Sequence, residues 1–160
     1  MAEAKRKLKA ILAADVAAYS RLMGDDERAT MDMLNVCRVV DTAGDSVLAV
    51  FESVVEATEC AIAVQGDIER SNSDLAEDRQ MRFRIGVNLG DIFEQKNGTI
   101  YGDGVNVAAR LEALAEPGGI CLSGSAHEQV EGKTDLGFQD LGEHAVKNIA
   151  RPVRAYRVVA

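Results

Sequence analysis

No stretch of this sequence approaches the roughly 18 to 20 consecutive apolar residues that a membrane-spanning helix requires. Its start, Met1 to Lys9, is charged and has no apolar core behind it, so neither insertion nor secretion is expected. Positive charge is also in short supply. Eighteen Lys and Arg stand against 26 Asp and Glu, leaving a net charge of −8. Such a balance argues against a nucleic-acid backbone or an anionic membrane as the main partner. A phosphorylated ligand would need a local basic group, a metal ion, or both. Cysteine is sparse: Cys37, Cys60 and Cys121 are odd in number and lack metal-type or redox spacing. They read as reduced core residues of a cytoplasmic protein. Internal repeats, low-complexity tracts and linkers are absent too. What is there is ordinary for a globular protein, 47% hydrophobic and 28% charged, without Trp. At 160 residues the chain is expected to form one domain, 1–160.

Leu8 to Ala14 is nearly continuous in apolar residues, with only Lys9 intervening, and suits a strand buried on both faces. It ends in Asp15. A carboxylate at the exit of a buried strand is costly unless something pairs with it, and a metal ion is one such partner. Capping of the next turn is the other reading. Asp25 or Asp26 then starts a helix whose apolar side is Met33, Leu34 and Cys37. That helix passes straight into the strand-like Val39-Val40 with no Gly, Pro, Asn or Ser to make a turn. A segment missing between about residues 37 and 38 is the expectation.

Val39-Val40 and Val47 to Phe51 read as a hairpin with Gly44-Asp45 at its tip. Ser53-Val54-Val55-Glu56 is a capping box, opening a helix with Val54, Ala57, Ala61, Ile62 and Ile68 at helical spacing. Met81 to Leu89 alternates with period two, one face apolar and the other carrying Arg82, Arg84, Gly86, Asn88 and Gly90. The strand continues through Glu94 and reverses at Lys96-Asn97-Gly98. Pro117-Gly118-Gly119 stops the next helix, Ile120-Cys121-Leu122 is a short strand, and Ser123 or Ser125 caps a brief helix to Val130. Two strands close the chain, around Phe138 to Leu141 and Val153 to Val159.

Between the Asn-Gly turn and Pro117 lies Asp103-Gly104-Val105-Asn106-Val107-Ala108-Ala109-Arg110-Leu111-Glu112, a glycine-rich turn opening a helix. Asn106 and Arg110, four residues apart, share one face of it. An amide and a guanidinium so placed could hold an oxyanion or a phosphate. A solvated polar stripe on an amphipathic helix is the blander alternative.

Four ordered stretches resemble the catalytic domain of the class III nucleotidyl (adenylyl/guanylyl) cyclases, bacterial type. They are Ile11 to Ser20, Thr42 to Asp45, Phe83 to Gly90, and Tyr101 to Arg110. The ending Lys147-Asn148-Ile149-Ala150-Arg151-Pro152-Val153 is similar to bacterial members. The resemblance implies an α+β fold with a ferredoxin-like βαββαβ core, its mixed, largely antiparallel sheet covered by helices. It implies conversion of ATP to 3′,5′-cyclic AMP and pyrophosphate, an intracellular signalling reaction. The alternatives are conversion of GTP to cyclic GMP, or a catalytically silent module that regulates a neighbouring domain.

By the same resemblance, Asp15, Asp45 and the Val16 carbonyl would hold two Mg²⁺ or Mn²⁺ ions per site. Mg²⁺ prefers one or two carboxylates completed by substrate phosphates and water. One ion would lower the pKa of the ribose 3′-hydroxyl and the other would clamp the triphosphate. Asn106 would orient the ribose, Arg110 would stabilise charge on the α-phosphate, and Lys147 would meet the terminal phosphate. In the family the metal aspartates and the Asn/Arg pair of one site come from different subunits. A head-to-tail homodimer is therefore implied. Class III catalytic domains are often attached to a regulatory domain, and none is visible in these residues.

Base recognition is where the pattern departs. Adenylyl cyclases usually place a Lys at the position of Asp41, with an Asp or Thr matching Thr99. Guanylyl cyclases place a Glu there. Asp41 leans toward guanine and Thr99 toward adenine, so base choice stays open.

Overall fold

The apolar run at Leu8 to Ala14 becomes a strand, longer than its apolar residues alone predict. In the computed structural model, which describes residues 5–18, 38–43, 46–77, 80 and 82–159 (backbone only for 16–18 and 38–43), β1 runs Lys5–Ala18. It passes Asp15 instead of ending there. Its antiparallel neighbour β4, Arg82–Glu94, explains the extra length at the front. Lys7 Nζ lies 2.8 Å from Glu94 Oε2 and Arg6 Nη2 lies 2.5 Å from Asp91 Oδ2, while Lys9 pairs with Glu52. Paired charges let a strand start beyond its apolar stretch.

The hairpin is present as β2, Arg38–Ala43, and β3, Ser46–Phe51, with a register irregularity between Val39 and Asp41. Its Gly44-Asp45 tip lies outside the described residues, as does the helix expected from Asp25 or Asp26 to Cys37. Helix α1, Val54–Asn72, begins where the capping box places it, Ser53 Oγ accepting from the Glu56 amide at 3.0 Å. Val54, Ala57, Ala61, Val64 and Ile68 face the sheet, but Ile62 is among the exposed apolar residues. Val64, not Ile62, completes the buried stripe.

Asn97 and Gly98 turn the chain: Gly98 has φ +88°, and the Asn97 side chain accepts from the Thr99 amide at 3.0 Å. The return is the two-residue β5, Ile100–Tyr101, with Tyr101 stacked on Phe93. Helix α2, Asp103–Leu114, follows; then β6, Ile120–Ser123, α3, Gly124–Val130, β7, Gly137–His144, and β8, Val153–Val159. Ser123 is the α3 cap, accepting from the Ala126 amide at 3.2 Å.

The strands form one sheet in the order β2-β3-β1-β4-β6-β8-β7, with β5 on β4. Only the β4–β6 pair is parallel among those described. This is the α+β, mixed and largely antiparallel sheet that the sequence leads one to expect. Alternation splits the core in two. Leu12, Ala14, Phe83, Ile85 and Val87 face α1 and α3, while Ile11, Ala13, Ala108 and Leu111 lie on the α2 side. Side chains such as Leu12, Ile85 and Leu111 are at most 1% exposed, each contributing about 1.5–3 kcal/mol by leaving water.

The Gly86–Asn88 side of β4 is not solvated: both residues are buried, Asn88 to 4% exposure, because α2 covers them. A Cβ on Gly86 would fall 2.4 Å from Glu112 N and 2.5 Å from Ala108 O. One on Gly104 would fall 2.5 Å from Asp91 O. These glycines are there for close approach of helix to strand. Asn88 Nδ2 donates to Gly104 O at 3.0 Å, which anchors the first turn of α2.

Neither Cys60 nor Cys121 is in a disulfide, and Cys37 lies outside the described residues. Burial pushes the Cys121 thiol up to about 11. Because the thiolate is the reactive form, Cys121 should resist alkylation at pH 8 while Cys60, which is only partly buried, reacts. Peptide mapping after iodoacetamide would check this; labelling of Cys121 in the native protein at the Cys60 rate would contradict it. Among the described residues no helix is long and apolar enough to cross a membrane.

Candidate active site

Strand parity decides where Asp15 points. It follows Ile11 and Ala13 on the α2 face of β1, and its register partners are Ser46 on β3 and Arg84 on β4. Arg84 engages both carboxylate oxygens, Nε to Oδ1 at 3.0 Å and Nη2 to Oδ2 at 2.6 Å. The pair is partly buried, Asp15 20% and Arg84 30% exposed. Burial pushes the Asp15 carboxyl up, but hydrogen bonds from Arg84 and with Glu112, and the Arg84 charge, outweigh it. The carboxyl is held below the usual carboxylate range. Arg84 is raised in turn, by its hydrogen bond to Asp15 and, among lesser causes, by the nearby Glu112.

Arg84 and Glu112 are the residues that sequence reasoning missed. Arg84 is 69 residues from Asp15 and meets it only through the β1–β4 register. Their equal parity on paired strands is the signal that would have found the contact. Glu112 sits half-buried on α2, brought down onto β4 by the bare Gly86.

Asn106 and Arg110 face the other way. Both are exposed, whereas Val107, Ala108 and Leu111 of the same helix are buried against the sheet. Arg110 Nε donates to Ala145 O at 3.3 Å, which ties the helix to the loop carrying Lys147, itself exposed. Thr99 is exposed just before β5. Val16 is in β1 and Asp41 in β2, opposite Leu48, with their backbones alone described. Asp45 lies outside the described residues, but it directly precedes Ser46, the register partner of Asp15. One chain therefore gathers Asp15, Arg84 and Glu112 on the sheet face and sends Asn106 and Arg110 outward.

A cleft of about 680 Å³ opens where β4, the first turn of α2 and the start of α3 meet. Asn88, Gly90, Asp91, Gly104, Ser125 and Arg154 are among its lining residues, and none of the predicted site residues is. Among the described residues no three His, Cys, Asp or Glu stand close enough to hold a metal unaided. An ionised Asp15 beside the strand that Asp45 precedes nevertheless suits a hard cation, which takes few carboxylates and completes its shell with phosphate and water.

Comparison with known proteins shows the family and the fold. Residues 11–159 match the family described as the adenylate and guanylate cyclase catalytic domain. The chain is 48% identical over 166 aligned residues to "Putative adenylate cyclase 3" of Rhizobium meliloti (strain 1021). That alignment covers 95% of this chain and 28% of the relative, so the chain spans little more than a quarter of that protein's length. Among solved structures, an adenylate/guanylate cyclase/hydrolase from Silicibacter pomeroyi superposes with a TM-score of 0.85 at 40% identity, covering 98% of both chains. The adenylyl cyclase CyaB from P. aeruginosa, at 21% identity, shares the fold with a TM-score of 0.81 over 99% of this chain and 96% of that one. The chain belongs to the class III nucleotidyl cyclase catalytic domains.

Proposed function

We propose that this domain makes a 3′,5′-cyclic nucleotide and pyrophosphate from a nucleoside triphosphate, ATP first, at sites shared between two copies in a head-to-tail dimer. The observation that carries the reading is the division of one chain's polar groups. Asp15 sits on the sheet face under α2, while Asn106 and Arg110 of the same helix project away from it. Each set is half of what the reaction needs, and an antiparallel pairing of two chains would bring unlike halves together.

In the reaction the ribose 3′-oxygen forms a bond to the α-phosphorus, and the bond to the bridging oxygen of pyrophosphate breaks. The hydroxyl proton is released to solvent. Asp15, Asp45 and the Val16 carbonyl would hold the divalent ions, which supply charge neutralisation and acidify the attacking hydroxyl. Asn106 of the opposite copy would hold the ribose in place. Arg110, fixed by its bond to Ala145, presents a guanidinium to the negative charge that grows on the α-phosphate. Lys147, on the loop that Arg110 grips, supplies a cation for the terminal phosphate. Local cations of this kind are what an acid-rich chain needs to receive a polyanion.

The name of the Rhizobium relative favours adenine. Thr99 agrees, while Asp41 would accept hydrogen bonds from guanine more readily than donate to adenine N1. Incubating the purified protein with Mn²⁺ and either ATP or GTP, at concentrations that populate the dimer, tests both points. Cyclic AMP in excess over cyclic GMP is the expected result, and Asp41→Lys should raise that ratio further. Absence of either product would overturn the enzymatic reading, and an unchanged ratio would remove Asp41 from base recognition.

A further inference from the structure

We propose that Arg84 is the resident cation of the metal site, closing Asp15 in the metal-free domain and giving way when a divalent ion arrives. The inference rests on the assignment of Asp15 as a metal ligand. Its ground is the geometry of the pair: Arg84 Nε lies 3.0 Å from Asp15 Oδ1, and Nη2 lies 2.6 Å from Oδ2. A two-point fork is the strong form of the Arg–carboxylate contact, and it engages both oxygens at once. A Mg²⁺ ion needs one of those oxygens at about 2.0–2.1 Å. Even on a lone pair that the fork leaves unused, the ion would stand a few ångströms from a guanidinium in a partly desolvated site. Like charges repel strongly there. Arg84 and the ion therefore compete for one carboxylate.

Two features suit the pair to this exchange. The fork is set by register alone, since Asp15 and Arg84 stand directly opposite on β1 and β4. It therefore forms with the sheet, and it neutralises a carboxylate that follows the buried Ile11 and Ala13 before any ion is bound. The contact is also displaceable. Arg84 keeps 30% of its side chain exposed, so the guanidinium can turn outward without carrying its charge into the core. A fully buried arginine would be left uncompensated by the same move. Tethered beside its target, Arg84 acts as a competitor at high effective concentration. Free divalent ions then bind more weakly than the carboxylate alone would allow.

Affinity for Mn²⁺ alone, read from the electron paramagnetic resonance of the free ion, tests the exchange without turnover. Arg84→Met should tighten Mn²⁺ binding about tenfold, the lower end of what a residue contacting a metal ligand changes. Arg84→Lys, which keeps the charge but cannot form the fork, should tighten it about threefold. Arg82→Met removes an exposed charge two residues away on β4 and should change affinity less than about twofold. Weaker or unchanged binding in Arg84→Met would overturn the proposal, because Arg84 would then orient Asp15 for the ion or be indifferent to it. An equal gain in Arg82→Met would reduce the effect to net charge and overturn it as well. Thermal unfolding gives a second reading. Without metal, Arg84→Met should melt below the unaltered protein, because an ionised Asp15 has lost its fork. Mn²⁺ well above both dissociation constants should then raise Tm more in the variant, and an equal rise would count against the exchange. Arg84→Lys carries the test if Arg84→Met does not fold. Asp15→Asn separates the two assignments. If it abolishes Mn²⁺ binding while Arg84→Met does not tighten it, only the exchange is wrong; if binding survives, the metal assignment fails with it.

Discussion

Mixing an Asp15→Asn chain with an Arg110→Ala chain should restore cyclic-nucleotide synthesis that neither chain supports alone. In the proposed head-to-tail dimer, each variant by itself would leave both sites lacking the same group. Arg110→Ala should lower turnover roughly a hundredfold, the equivalent of about 3 kcal/mol for a preorganised donor that acts on transition-state charge. Asp15→Asn removes a carboxylate that the structure keeps ionised, and its loss should be at least as severe. In a mixed dimer the two lesions fall in the same site. The other site then combines an intact Asp15 from one chain with an intact Arg110 from its partner. Random pairing makes about half the dimers mixed, each with one working site, so about a quarter of normal activity is expected. A mixture no more active than its components would refute a shared site, whatever the activity of the unaltered protein.

The largest expected effect on stability comes from one methyl group. Gly86→Ala would set a carbon 2.4 Å from Glu112 N, 2.5 Å from Ala108 O and 2.9 Å from Leu111 C, all of them backbone. No side-chain rotation relieves that contact, so α2 must lift from β4. Leu111, 1% exposed, and Ala108, fully buried, would be partly opened to water. Overpacking of this kind costs up to about 3 kcal/mol, which for a chain of this size lowers Tm by roughly 6–12 °C. Gly66→Ala is the contrast. It lies within α1, where the added carbon would meet only the end of the Arg70 side chain at 3.5 Å. There the change should stabilise by about 0.5–1 kcal/mol, because Gly is the poorer helix former. Calorimetry on both variants checks the two signs together. A tolerated Gly86→Ala would mean that helix and strand are not packed as described.

Whatever depends on a few neighbouring residues could be read in advance. Ser53 caps α1, Asn97-Gly98 turns the chain, and Pro117-Gly118-Gly119 follows the end of α2, because each acts within a turn of its own position. Individual strands followed from their periods, and the α+β sheet from the family resemblance. What escaped was contact across the sheet. Gly86, Asn88 and Gly90 look like a wet face when only hydrophobicity is counted, yet they are small so that a helix can lie on them. Arg84 looks like a surface charge until the register sets it opposite Asp15. Glu112 looks like the end of a polar stripe for the same reason. Asp15, Asn106 and Arg110 were picked out through resemblance, and geometry adds that they divide between two directions. Asp45 and the junction at Cys37-Arg38 fall at or outside the edge of the described residues.

The long register between β1 and β4 has one more consequence. Successive side chains of a strand alternate faces, so the position of Asp15 is a matter of odd and even. Inserting or deleting a single residue between Lys5 and Ala14, with the pairing before it held, would turn Asp15 into the core shared by Leu12, Ile85 and Val87. An insertion would put Ala14 opposite Arg84, and a deletion would put Val16 there. The small residues of β1, alanine at 10, 13 and 14, resist such a slip only weakly by shape. Resistance comes instead from the two ends, where Arg6 and Lys7 are pinned to Asp91 and Glu94 and Asp15 to Arg84. A change in the residue count of β1 thus moves Asp15 from one face of the sheet to the other, whatever side chains the strand carries.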